Sequence, residues 1–173
     1  MILLTLCGSL RADSSNGRLL RAAVKSLPES IQVDHYDGLA GLPAFDPGLD
    51  DGPGPAVLDL RRRVKAASAV LIASPEYAHG IPGSLKNALD WLVGSGELVD
   101  KPVAVVLAST SDGAFARQAL VEVLRTLSAR VPDELVLGVA GIRMKLGRDG
   151  VPENALREDL GALMGHLRSS MAA

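Results

Sequence analysis

TLCGSLRADSSNGRLLRAA, residues 5–23, leaves an apolar run through a turn of small and polar residues and resumes with the period of a helix. The same transition recurs along the chain. Apolar or β-favouring runs at 2–7, 31–36, 69–74, 102–109 and 134–139 read as strands, and three of them are almost uniformly apolar, as in strands covered on both faces. Segments of helical period follow them, and each sets its apolar residues on one face. These faces are Leu20, Ala23, Val24 and Leu27; Val57, Leu60, Val64 and Ala67; and Leu85, Ala88, Leu89 and Leu92. The fourth is Phe115, Ala119, Val123 and Leu127, and the fifth runs from Leu156 through Leu160, Leu163 and Met164 to Leu167. Five strand-then-helix units imply an α/β three-layer sandwich, a parallel sheet with helices on both faces. Five units suit the strand order 2-1-3-4-5, the flavodoxin-like arrangement, better than a six-stranded dinucleotide fold.

At 173 residues the chain reads as one domain spanning 1–173. A formal charge of −2 and the lack of a basic stripe argue against nucleic acid as a partner. One cysteine, Cys7, excludes an intrachain disulfide and a cysteine-based zinc site, and no metal is expected. Cys7 ends an apolar run and reads as an inert, buried thiol. The opening MILLTL lacks a basic leader and no apolar stretch is long enough to span a membrane, so a cytoplasmic protein is expected. The stretch GLAGLPAFDPGLDDGPGPA, 38–56, is too long and too rich in Gly, Pro and Asp for a plain connection, which marks it as functional or disordered.

For strand order 2-1-3-4-5 the ligand crevice lies between the carboxyl ends of strands 1 and 3. The turn GSLRADSSN, 8–16, leaves strand 1 there. It offers the hydroxyls of Ser9, Ser14 and Ser15, the amide of Asn16, the guanidinium of Arg11 and the free N–H groups of a helix start. Two readings stand open: Ser14 or Ser15 caps the helix and nothing more, or the turn seats a phosphate. The turn matches neither the P-loop pattern nor G-x-G-x-x-G, which leaves a monophosphate gripped by side-chain hydroxyls.

After strand 3 comes SPEYAHGIPGSLKNALDWL, 74–92. Pro75 stiffens the strand exit, Gly80 and Gly83 allow close backbone approach, and Pro82 suits a helix start. Taken together, GSLRADSSN and PEYAHGIPGSLKNALDW resemble the NADPH-dependent FMN reductase family of flavodoxin-like proteins over nearly the whole chain. The resemblance implies FMN as cofactor and NAD(P)H as co-substrate. It implies that Ser9, Arg11, Ser14 and Asn16 contact the FMN phosphate, with Ser15 beside them. It also implies that Pro75, Glu76, Tyr77 and Ala78 line the isoalloxazine largely through backbone atoms, with Gly80 in the same turn. Many members carry Asn where this chain has Ala78. The loop after strand 4, often glycine-rich in the family, reads STSDGAF here, and Ser109, Thr110, Ser111 and Gly113 complete the expected cofactor contacts.

No side chain is expected to be catalytic, because the flavin carries the chemistry. Glu76 reads as a loop anchor, Tyr77 as a ring-side residue and His79 as a gate or solvent-facing residue. Trp91 reads as core or interface packing, and Phe45 in the long loop is a candidate cover for the flavin or the nicotinamide, in its own or a neighbouring subunit. The polar side Lys86, Asn87 and Asp90 of the third segment is either a solvated face or, by the resemblance, a subunit contact. The expected function is hydride transfer from NAD(P)H to FMN and on to a quinone, azo compound, free flavin or metal oxyanion, by a ping-pong mechanism in a homodimer or homotetramer. The rivals are a flavodoxin-type electron carrier and a flavin-binding sensor or scaffold.

Overall fold

The computed structural model describes residues 1–147 and 151–172. Its five strands are β1 (Ile2–Cys7), β2 (Gln32–Tyr36), β3 (Ala69–Ser74), β4 (Val103–Ala108) and β5 (Val136–Val139). All pair in parallel, in the order β2-β1-β3-β4-β5. The expected sandwich is therefore the observed one. The last strand is shorter than expected, because Asp133–Leu135 form a single 3-10 turn after Pro132 before extended backbone begins at Val136.

Six helices complete the described residues: α1 (Ser15–Val24), α2 (Pro55–Ala66), α3 (Gly83–Asp90), α4 (Ala114–Thr126), the short α5 (Ile142–Lys145) and α6 (Asn154–Ala172). Sequence reading missed α5, which is too short to show a period. β3 and β4 are buried at every position, since each is covered above and below. One core packs α2, α3 and α4 against Leu4, Leu6, Val70, Ile72, Val105 and Leu107. The other packs α1 and α6 against Leu3, Ala69, Leu71, Ala73, Ala104 and Val106. The strand alternation divides these two sets.

Three of the five helical faces are buried as read, and on α1 Leu20 and Ala23 are buried together with Leu19 while Val24 and Leu27 are half-buried. The face on α4 is displaced by one residue: Ala116, Leu120 and Leu124 are buried, while Phe115 is 57% exposed. Two leucines outweigh Ala119 and Val123 for the core side, and the displacement frees Phe115 for another contact.

The long segment 38–56 is ordered and held down. It contains two 3-10 turns, Gly38–Gly41 and Pro47–Leu49. Asn87 of α3 clamps it by accepting from the Phe45 N–H at 2.8 Å and donating to the Pro43 carbonyl at 2.9 Å. Trp91, fully buried, donates its indole N–H to the same carbonyl at 2.9 Å and meets the Phe45 ring edge-on at 5.1 Å. Arg61 ties the far end through the Asp50 carboxylate and the Trp91 carbonyl. Asn87 thus belongs to an internal clamp rather than to a solvated face, and Phe45 packs on Trp91. No helix among the described residues is long and apolar enough to cross a membrane.

Candidate functional site

The turns after β1, β3 and β4 meet at the carboxyl edge of the sheet. Pairing continues one residue past β1, where the Gly8 N–H donates to the Ala73 carbonyl at 2.8 Å. Gly8 has to be glycine, because a Cβ there would lie 2.7 Å from Ser74 Oγ. That close approach fixes the first turn beside the second.

Ser14 is the N-cap of α1, and its Oγ accepts from the Gly17 N–H at 3.0 Å. This satisfies one orphan donor of the helix and leaves the first amides, those of Ser15 and Asn16, without an intrahelical acceptor. Accepting at the cap does not use the hydroxyl hydrogen, which can be donated to Cys7 Sγ or to an anion, so capping and anion binding are compatible in one side chain. Ser9 and Ser14 are buried and Arg11 is exposed; Ser9 Oγ accepts from the Arg11 N–H at 3.4 Å. Asp13, the carboxylate of the turn, is turned away into a two-pronged pair with Arg18. The Arg18 hydrogen bonds hold the Asp13 carboxyl below the ordinary carboxylate range. Asn16 is buried, donates its amide to the Ala108 carbonyl at 3.4 Å and leaves Oδ1 with no partner. Cys7 is half-buried rather than buried, with Sγ 3.6 Å from Ser14 Oγ.

The second turn is a tight hairpin. Tyr77 and Gly80 exchange both backbone hydrogen bonds at 2.9 Å, and Ala78 and His79 between them have φ of 50° and 58°. Positive φ at both central positions makes a type I′ turn, which prefers Asn-Gly and here holds Ala-His. Left-handed backbone costs such residues about 1–2 kcal/mol each. The first turn of α4 supports the hairpin: the His79 ring stacks on Phe115 with centroids 4.4 Å apart. Tyr77 is 52% exposed at the rim.

Glu76 performs the anchoring role expected of it. Its Oε2 accepts from the Ala116 N–H at 3.0 Å and its Oε1 from Ser111 Oγ at 3.3 Å, while Ser111 and Ser109 share a 3.0 Å contact. Asp112 Oδ1 accepts from the Ala114 N–H at 3.1 Å. Two carboxylates therefore cover the start of α4, whereas α1 has no acidic residue in its first turn. At α4 the Ala114 and Ala116 amides are taken by carboxylates, whereas at α1 the one capped amide, that of Gly17, is taken by a neutral hydroxyl, which leaves the α1 start the more open to an anion. Thr110 and Gly113 complete the third turn, Gly113 at φ 66° as the N-cap of α4.

Four residues take parts that sequence reading did not assign to them. Asn87 and Trp91 lie one helical turn apart on α3 and reach the same carbonyl, which only the folded 38–56 segment reveals. Phe115 was assigned to the core. Arg21 lines a cavity of about 340 Å3 together with Ser9, Arg11 and Ser14, on the β2 side of the first turn. Helical side chains lean towards the N-terminus, so a glycine four residues before Arg21 was a signal that could have found it.

Comparison with known proteins agrees with this geometry. A family model described as NADPH-dependent FMN reductase matches residues 1–142. A probable NADPH:quinone oxidoreductase 1 of Oryza sativa is 45% identical over 115 residues, covering 62% of this chain and 58% of that protein. A quinone reductase of Escherichia coli is 38% identical over 136 residues, covering 73% of this chain and 71% of that protein. Thus the chain spans less than two thirds of the rice relative's length. Among solved structures, the flavoenzyme NAD(P)H:(acceptor) oxidoreductase FerB from Paracoccus denitrificans superposes with a TM-score of 0.77 at 25% identity, covering 99% of this chain and 95% of that one.

Proposed function

Since the chain belongs to the NADPH-dependent FMN reductase family, oxidoreductases that work with FMN and a nicotinamide co-substrate, we propose that it passes reducing equivalents from NAD(P)H through FMN to a small acceptor. Quinones head the acceptor classes, which also include azo compounds, free flavin and metal oxyanions. The observation that carries this reading is the pairing of a donor-rich turn at the start of α1 with a backbone-rich hairpin beside it, at the junction of β1 and β3.

The residues present fit the cofactor. Ser9, Arg11, Ser14 and Ser15 supply hydroxyl, guanidinium and amide donors to a phosphate. Asn16 Oδ1 is a buried acceptor in need of a donor, and a polyol chain next to a phosphate provides one. Pro75, Glu76, Tyr77, Ala78 and Gly80 would wall one side of the ring, and Ser109, Thr110, Ser111 and Gly113 the other. When bound, FMN supplies the hydride-accepting centre. The chain's own task is to hold donor and acceptor in turn over one face, which implies ping-pong kinetics. Glu76 is committed to the Ala116 amide and does not serve as a proton donor. Tyr77, exposed at the rim, contacts the exchanging substrates. We take the chain as one FMN-binding unit that assembles as a homodimer or homotetramer.

The test is steady-state turnover of the purified, FMN-loaded protein with NADH or NADPH and menadione. Sustained nicotinamide oxidation with parallel double-reciprocal lines is expected. Bound flavin without turnover would instead indicate a carrier or sensor, and absence of FMN binding would overturn the reading altogether.

A further inference from the structure

The hairpin after β3 has a shape that its own residues oppose. A type I′ turn needs positive φ at both central positions, which Asn-Gly supplies and Ala-His does not. Ala78 and His79 nonetheless sit at φ 50° and 58°, and the nearest glycine, Gly80, comes one position too late to relieve either. The two hydrogen bonds between Tyr77 and Gly80 close the turn without selecting its hand. Ala78 and His79 are both exposed, so burial does not hold them either. Left-handed backbone without glycine persists only where the surroundings over-determine it.

The surroundings here are two consecutive residues of α4. Phe115, the second residue of the helix, lies off the buried face of Ala116, Leu120 and Leu124 and is more than half exposed. Helical side chains lean towards the N-terminus, which carries its ring to the start of α4, where the hairpin lies. There it stacks on the His79 imidazole, with 4.4 Å between centroids and 18° between planes. The next residue, Ala116, donates its N–H to Glu76 at 3.0 Å. Glu76 leads into the hairpin and His79 stands at its tip, so α4 holds the element at both points. The carboxylate link fixes where the hairpin begins. Only the ring stack acts on a residue whose φ is unfavourable.

We propose that Phe115 is a positioning residue: its ring latches His79, and through it the left-handed backbone of 78–79, in the shape that lines the flavin ring. Phe115 thereby replaces the Asn-Gly chemistry that the turn lacks. The proposal deepens the flavin reading, since it takes this hairpin as a wall of the isoalloxazine site.

Hydrogen exchange of the Tyr77 and Gly80 amides in flavin-free protein reads the latch, and flavin-fluorescence quenching reads FMN affinity. Phe115→Leu keeps helix propensity and touches no core contact, and unchanged exchange of the β3 amides checks that it folds. It should speed exchange of the two hairpin amides about fivefold and weaken FMN binding about fivefold, the scale of one aromatic pair. Phe115→Tyr keeps the ring and should match the parent in both. In the Ala78→Asn, His79→Gly background, where the turn holds itself, Phe115→Leu should change neither. The proposal falls if Phe115→Leu moves only one readout or none. An equal loss of affinity in the Asn-Gly background would also overturn it, because Phe115 would then act on the flavin without the hairpin. If exchange responds as expected but the parent binds no FMN, the latch stands and the flavin reading falls.

Discussion

Arg11 is exposed and enters no ion pair among the described residues, although Asp13 stands two positions away. Asp13 is claimed by Arg18, which leaves the Arg11 fork for an incoming anion. Replacing Arg11 with alanine should remove a charge-assisted hydrogen bond of about 1.5–3 kcal/mol, roughly ten- to a hundredfold in FMN affinity. Flavin-fluorescence quenching measures it, and unchanged affinity would remove Arg11 from the phosphate seat. The residue pattern S-x-R-x-x-S alone suggested this role. It did not reveal that Ser14 would cap the helix at the same time, because the direction of a hydroxyl depends on backbone dihedrals.

Connections between elements keep the edge in register. Glu76 joins the turn after β3 to the start of α4, acting as an N-terminal cap supplied from another loop. Glu76→Ala should cost about 1 kcal/mol, the usual loss of a cap, and chemical denaturation should show it as a lower midpoint. The clamp by Asn87 makes a second case. Asn87→Ala strands the Phe45 amide, while the Pro43 carbonyl keeps its bond from the Trp91 indole; the loss is about 1–3 kcal/mol, and limited proteolysis should then cut within 38–56, where the parent resists. That segment read as functional or disordered from its composition. Its order comes from side chains 42 to 48 residues downstream, which no local pattern can express.

At the scale of the whole molecule, pH dependence follows from the network joining α2 to the edge strand β2. Arg63 bonds Asp59 at 2.9 Å and Asp34 at 2.7 Å and lies 5.6 Å from the centre of the Tyr36 ring. Hydrogen bonding to Arg62, then to Arg63, pulls the Asp59 carboxyl below its ordinary 3.8. A depressed carboxyl favours the fold above its unfolded value, and that contribution is lost as pH falls through the folded one. Burial, with the Asp59 charge adding to it, raises the Tyr36 phenol above its ordinary 10.0. Its contribution is intact below that value and is lost as pH rises through the folded pKa. Stability should accordingly decline below pH 3.8 and again above pH 10. Tyr36→Phe should flatten the alkaline limb while leaving the acid limb in place, as thermal melts across pH would record.

Read alone, the chain determined the sandwich, its strand order and the two turns that face the crevice. Strand burial, helical period and right-handed crossovers are local or topological constraints, and they leave few alternatives. Tertiary structure decided which atoms of those turns are free. It spent Glu76 and Asp112 on the start of α4, left the start of α1 open, moved Phe115 out of the core to His79, and brought Arg21 and Asp37 to one cavity from a helix and the end of a neighbouring strand. Each of these outcomes depends on groups far apart in sequence competing for the same donors and the same space, and only packing resolves that competition.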